Sequence, residues 1–337
     1  MFSITVRSEK EDKRIPIAVA SDVMFDIQLL LTHIGESLIS EEFGSYNRPA
    51  EALVGRFTLF MDPDSGGISF RTSAGNGPST LMDKAMNMLK VTMDKMGSGS
   101  GTYWMEDNFK DPVYRSMVLF DLMELSKHMS PERGFSLIFG IDDKERTFVP
   151  LDIEKGRAFL SGKGKSSRGN IVGILHGVQS KRNVPLYGFT VGDDRVKISF
   201  RSKDVESDAA KHVNSPVLVN GTLRYSDEGE LLEVADIDSA ELFDKKAFTH
   251  MISADRDVPL ARPLEASVSY DASSQIWKLT YPDLGISSSD QEWDTAVAGL
   301  HDYFVFLCDN YLSKDDNELS EEEAEVKNTL NSLIDSA

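Results

Sequence analysis

Lysine and arginine concentrate between residues 155 and 203, where eleven of them face two acidic residues, a local balance of +9 in a 337-residue chain of net charge −19. Cationic side chains at that density suit one kind of chemistry: they neutralise phosphates or other anions, with a strength that falls as salt rises. Arg195, Lys197, Arg201 and Lys203 share one parity, so in an extended strand all four project from one side while Val196, Ile198 and Phe200 project from the other. Lys163, Lys165 and Arg168 lie just upstream, and Lys181 and Arg182 fall in the loop between two strand-like runs. Together these residues form the candidate surface for nucleic acid or another polyanion. Two other readings stay open. The row is ordinary solvated sheet surface, or it pairs with the acidic region at residues 283–337, where fourteen Asp/Glu stand against Lys314 and Lys327. Stacking partners are scarce: Tyr187 and Phe189 share parity with Val191 and are expected to point inward, which leaves Tyr225 as the exposed aromatic.

Other chemistries fit less well. Residues 156–167 look like a Walker-type phosphate loop, but five residues separate Gly156 from Gly162-Lys163, one more than that loop takes, and Gly164 follows where Ser or Thr would hold magnesium. Gly97-Ser98-Gly99-Ser100-Gly101 ends a helical pattern instead of joining a strand to a helix, so it is no dinucleotide fingerprint. His33, His128, His176, His212, His250 and His301 stand singly, with no His or Cys at ligand spacing, and no metal is expected. Cys308 is the sole cysteine; it excludes an internal disulfide and sits in an apolar helical stretch as a buried thiol. The Gly-x-Ser-x-Gly elbow of hydrolases is absent. No cofactor is expected, and binding is favoured over catalysis. A pocket lined by carboxylates with perturbed titration would reverse that preference.

The elements that must position the basic row read as α+β in class. With 40% hydrophobic and 27% charged residues the chain is globular, and its length implies more than one domain. An N-terminal domain, residues 1–130, reads β-α-β-β-α-α. Phe2–Arg7 alternates as a strand, and Val23, Ile27, Leu30, Ile34 and Leu38 make a helical stripe behind Ser21 as N-cap. Residues 54–61 and 68–72 form a hairpin around a Pro/Gly-rich turn. Met82, Met86, Leu89, Met93 and Met96 stripe the next helix, and Asp111-Pro112 caps a third, with Val118, Leu122, Leu125 and Met129 on one face. A central domain, residues 131–255, holds strands at 171–178, 186–191, 195–202, 216–225 and 231–237, with a helix at 204–213 between the third and fourth. That order predicts a small five-stranded barrel, OB-like or SH3-like, with Gly173 and Gly177 allowing the first strand to bend.

A C-terminal module, residues 256–313, has three short strands and then Ser289-Asp290-Gln291-Glu292 as a capping box before a helix striped by Trp293, Ala296, Val297, Leu300, Phe304, Leu307 and Tyr311. Phe306 and Leu312 lie off that stripe and, with Trp293, are the candidate partner interface. Residues 314–337 read as an acidic terminal helix or tail, loosely docked.

Tyr270-Asp271, Trp277 and Pro282-Asp283-Leu284, followed by Ser289 and Glu292 at a helix start, resemble the HicB-like antitoxin module of prokaryotes over residues 264–312. The resemblance implies a truncated RNase H-like β-β-β-α-β unit without catalytic residues, serving as a protein-interaction platform. Expected partners are accordingly a nucleic acid or polyanion, a basic protein masked by the acidic C-terminus, or a second copy of the chain in an assembly role. The N-terminus lacks the basic-then-apolar layout of a secretion signal, and apolar runs fall far short of the roughly 20 residues of a bilayer span. A cytoplasmic location is expected.

Overall fold

The computed structural model describes residues 2–9, 14–44, 48–59, 80–97, 101–129, 131–141, 144–162, 166–178, 186–192, 194–226, 231–254 and 256–334. They form two compact units, residues 1–38 with 54–165 and residues 39–53 with 166–337.

The first unit contains β1 (Phe2–Ser8), most of α1 (Ile17–Phe43), the end of the short α2 (Glu51–Val54), α3 (Leu81–Gly97), α4 (Gly101–Asn108), α5 (Pro112–His128), β2 (Phe135–Ile141), β3 (Lys144–Thr147) and α6 (Ile153–Gly162). Its sheet has the order β1-β2-β3, all antiparallel. The stripe residues Val23, Ile27, Leu30 and Ile34 are buried, as are Met86, Leu89 and Met93 of α3 and Val118, Leu122 and Leu125 of α5. Asp111 caps α5 as its spacing implies, accepting from the Val113 amide at 2.7 Å. By length and composition alone α1 could cross a membrane, against the expectation from its short apolar runs, with a mean hydropathy of 1.5 over its best window. Its Ile27, Leu30, Leu31 and Ile34 are nevertheless fully buried within the protein.

Three expectations fail in this unit. Ser21 is no N-cap, because α1 begins four residues earlier, after Pro16, whose carbonyl takes the Ala20 amide. The first hairpin arm is helical through residue 57, and Gln28 of α1 holds the chain beyond it, donating to the Phe57 carbonyl and accepting from the Leu59 amide. Phe57 is buried against Gly35, where an added Cβ would come within 2.2 Å of the ring. The turn and second arm lie outside the described residues. Finally, residues 131–165, assigned above to the central domain, complete this unit: β2 pairs with β1 over its whole length.

In the second unit five strands close into a barrel: β4 (Ser166–Val178), β5 (Leu186–Val191), β6 (Asp194–Phe200), β7 (Pro216–Tyr225) and β8 (Leu231–Leu242), with α7 (Lys203–Ala209) between β6 and β7. Its closed order is β4-β5-β6-β8-β7, and β6 runs parallel to β8. β4 serves both halves of the barrel, pairing with β7 up to Ile174 and with β5 from Ile174 onward. Gly173 stands at that change of partner, where a Cβ would sit 2.5 Å from the Thr190 carbonyl oxygen.

A four-stranded antiparallel sheet follows, in the order β12-β11-β10-β9, from β9 (Lys245–Ile252), β10 (Asp257–Asp271), β11 (Ile276–Tyr281) and β12 (Ile286–Asp290). It begins at 245, so the C-terminal module starts before residue 256 and includes an unforeseen strand. α8 (Trp293–Tyr311) packs on it with Ala296, Val297, Leu300, Phe304 and Leu307 buried, and Cys308 is buried too. The capping box at 289–292 does not form. Ser289 belongs to β12, Glu292 is the N-cap without a side-chain bond, and Asp290 accepts from the Glu292 amide. No strand follows α8 among the described residues. Instead α9 (Glu321–Ile334) docks through Leu330 and Leu333, both fully buried, and Arg262 reaches Ser332. The acidic helix is therefore packed at its C-terminal half. Its start is a reciprocal box in which Glu323 accepts from the Ser320 amide and Ser320 from the Glu323 amide.

Candidate functional site

The basic row divides where β6 ends. Arg195 and Lys197 project from the exposed side of the strand, with Val196 buried on the other. Beyond Phe200 the chain bends, and Ser202 caps α7 by accepting from the Val205 amide at 3.3 Å. Arg201 and Lys203 thus leave the strand, and the expectation of four residues in one straight row is corrected to two on β6 and two at the β6–α7 corner. Lys163, Lys165, Lys181 and Arg182 lie outside the described residues.

A bulge in β8 brings a carboxylate to that corner. The strand shifts register against β6 between Val234 and Ile237 and against β7 between Ala235 and Ser239, and Asp236 takes a φ of 49°. Irregularity of this kind re-aims the following side chains. Asp238, two residues on, is paired with both Arg168 of β4 and Arg201, the latter at 2.9 Å. Two of the nine expected cations are therefore already matched within the barrel. Glu233, opposite Lys197 in the β6–β8 register, holds Arg224 at 2.9 Å. Among the described residues no carboxylate forms an ion pair with Arg195, Lys197 or Lys203, and none of the acidic side chains of residues 283–334 reaches a barrel cation.

Where β6 parts from β5 an open cleft of about 420 Å³ forms, lined by Tyr187, Ile198, Phe200, Arg201, Lys203 and Glu206 among others. The paired stretch of β5 and β6 ends at Phe189 and Val196, so the side chains that continue the inward parity, Tyr187, Ile198 and Phe200, turn toward the cleft at the barrel's mouth. Tyr187 and Phe200 stand edge to face, with centroids 5.9 Å apart and an interplanar angle of 87°. Tyr225, expected to be the exposed aromatic, is buried at 7% exposure. Tyr187, expected to point into the core, is instead accessible in the cleft, because residues of that parity lose their cover where a strand pair separates. Next to this region burial and the Arg195 charge hold His176 below the usual histidine range, and its Nε2 is 3.0 Å from the Thr190 hydroxyl.

Two further groups of titratable side chains occur among the described residues. In the first unit His33 bonds Asp121 at 2.6 Å, and His128 lies 3.6 Å from Asp26 and 3.8 Å from Asp22. Burial, with help from Glu124, Asp121 and Asp22, pushes Asp26 up to about 7. Neither histidine bonds a hydroxyl or thiol among the described residues, so no nucleophile–base pair is formed there. In the second unit Glu42 accepts from the Thr249 and His250 amides, and His301 is fully buried between Phe43 and Phe248, accepting from the Ile252 amide at 3.0 Å. Burial, reinforced by the Lys246 charge, pushes His301 down to about 3. This is a satisfied core histidine at Nδ1, not a proton shuttle. No group of three or more His, Cys, Asp or Glu side chains suited to a metal occurs among the described residues.

The expected partner residues separate as well. Trp293 is half-buried, meets Trp277 and Phe243 edge to face, and donates its indole N–H to the Phe43 carbonyl at 3.0 Å. Leu312 is half-buried at the end of α8, whereas Phe306 is 56% exposed beside the exposed Tyr303. Only Phe306 of the three projects freely.

A scan against protein-family models, a search of curated proteins and a search of solved structures each return no match for this chain.

Proposed function

We propose that this is a non-catalytic binding protein whose barrel, of the OB type, takes a single-stranded nucleic acid across β6 and into the cleft beside α7. The carrying observation is the joint presence of Tyr187 and Phe200 with Arg201 and Lys203 in one open cleft. Aromatic faces stack on bases and cations hold phosphates, and single-strand binders combine the two. The barrel's closed order, its parallel third and fifth strands and the helix before the fourth support the OB reading. Arg195 and Lys197 extend the cationic track away from the cleft.

The test replaces Lys197 and Lys203 together by glutamate and measures fluorescence anisotropy with a labelled oligothymidylate of about 12 nucleotides, within the site sizes such barrels cover. At low salt the double variant is expected to lose at least about tenfold in affinity, or about 1.4 kcal/mol. Unchanged affinity in a folded variant rejects the site.

A second reading rests on the β10–β11–β12–α8 order, which fits a HicB-like module, and on Phe306 and Tyr303 exposed on α8 within an acidic region. There a basic protein or a second copy would dock on α8. Phe306→Asp would then abolish co-purification or dimerisation in light scattering while sparing oligonucleotide binding.

A further inference from the structure

Glu206 is out of place in a cleft built for phosphates. It lines the same space as Arg201 and Lys203, is half-buried, and forms no ion pair among the described residues. An ionised carboxylate only accepts hydrogen bonds and repels a phosphate, so here it weakens anion binding unless the ligand offers it a donor. Bases supply such donors unequally. Cytosine and adenine each present an exocyclic amino group, and guanine presents an amino group beside a ring N–H. On thymine a lone ring N–H is flanked by two carbonyl oxygens that a carboxylate repels.

We propose that the cleft reads one base of the bound strand, with Glu206 accepting from an exocyclic amino group while the base lies against the Tyr187–Phe200 pair. This rests on the nucleic-acid reading above and adds a specificity to it. The volume of about 420 Å³ lies at the small end of ligand pockets, which run from about 300 to 1,000 Å³, so one base with its sugar fits and a longer stretch does not. Phosphates on either side of that base fall to Arg201 and Lys203, and neighbouring nucleotides to Arg195 and Lys197. Selectivity is then confined to a single position, and the rest of the strand is held without regard to sequence.

The experiment measures anisotropy of the full chain and of Glu206→Met on a labelled oligothymidylate and on three versions carrying one central adenine, cytosine or guanine. The wild type is expected to bind the substituted strands about five- to tenfold more tightly than the all-thymine strand, in line with the discrimination a good base contact gives. Glu206→Met, which removes the acceptor as well as the charge, should abolish that preference while its affinity for the all-thymine strand rises or stays level. Equal binding of all four strands by the wild type overturns the inference and leaves the broader reading intact. So does a uniform rise in affinity of Glu206→Met for every strand, since that is charge repulsion without reading. If none of the strands binds at low salt, both the inference and the reading on which it rests are overturned.

Discussion

The basic stretch at residues 155–203, which runs into the barrel, and the acidic C-terminal region carry opposite charge, and they dispose of it differently. In the barrel, positive side chains are met by carboxylates of β8: Asp238 takes Arg168 and Arg201, and Glu233 takes Arg224. In the C-terminal region the acids serve their own helices and turns. Glu323 and Ser320 close a capping box, Asp271 binds Ser273 and Ser274, and Asp316 holds Lys327. A charge count along the sequence adds up neighbours in the chain, whereas folding adds up neighbours in the sheet. The first region is therefore less positive than its count of +9 suggests, while the second keeps most of its negative charge in solvent.

Three experiments bear on that contrast, in order of expected effect. Gly173→Val should be the most damaging, because the added Cβ meets a backbone oxygen at 2.5 Å where β4 changes partners. A loss of at least about 3 kcal/mol is expected in urea unfolding, and with it all oligonucleotide binding, while the α8–sheet packing persists in tryptophan fluorescence. Simultaneous loss of both signals would show that the two regions unfold as one.

Acidification should act the other way round. His301 has its folded-state value depressed from 6.5 to about 3, so its neutral form stabilises fully above pH 6.5 and that stability is lost as pH falls toward 3. The loss is about 3 kcal/mol by pH 4, some 2.5 pH units below the ordinary histidine value at about 1.4 kcal/mol each. Asp271, held down to about 2 by the Ser273 and Ser274 hydroxyls, titrates in the same direction at lower pH. The sheet with α8 should therefore loosen before the barrel on a pH series, and His301→Gln should flatten that dependence. A pH-independent midpoint between 7 and 4 in the wild type contradicts it.

The smallest effect is expected of Asp238→Asn. It releases two guanidinium groups from one carboxylate, so oligothymidylate binding should tighten about threefold at low salt, the order of a single screened charge. Weaker binding would mean that Asp238 matters more for holding the arginines in place than for occupying them.

These regions also differ in how far they could be read in advance. The barrel's strands alternate cleanly and are joined by short connections, so their number, order and intervening helix are visible locally. β2 was not, because Phe135–Ile141 finds its partner in Phe2–Ser8 at the other end of the unit. Asp238 was missed because β8 runs through a bulge at Asp236 to Leu242, and no local pattern marks a bulge whose cause is pairing to two strands at once. The fate of Arg201 and Lys203 did have a signal. Ser202 followed by Asp204 and Glu206 has the composition of a capped helix start, which ends strand parity at Phe200. Ser320 and Glu323 carried a similar sign of order in the terminal helix.

The bulge in β8 also governs how a salt titration must be interpreted. Arg168, Arg201 and Asp238 together carry two positive charges and one negative, a net of +1. A phosphate arriving there displaces a carboxylate from guanidinium groups already stripped of part of their water, so the slope of log affinity against log salt counts this trio as one cation. A tally of arginines from the slope would come out lower than the number the ligand touches.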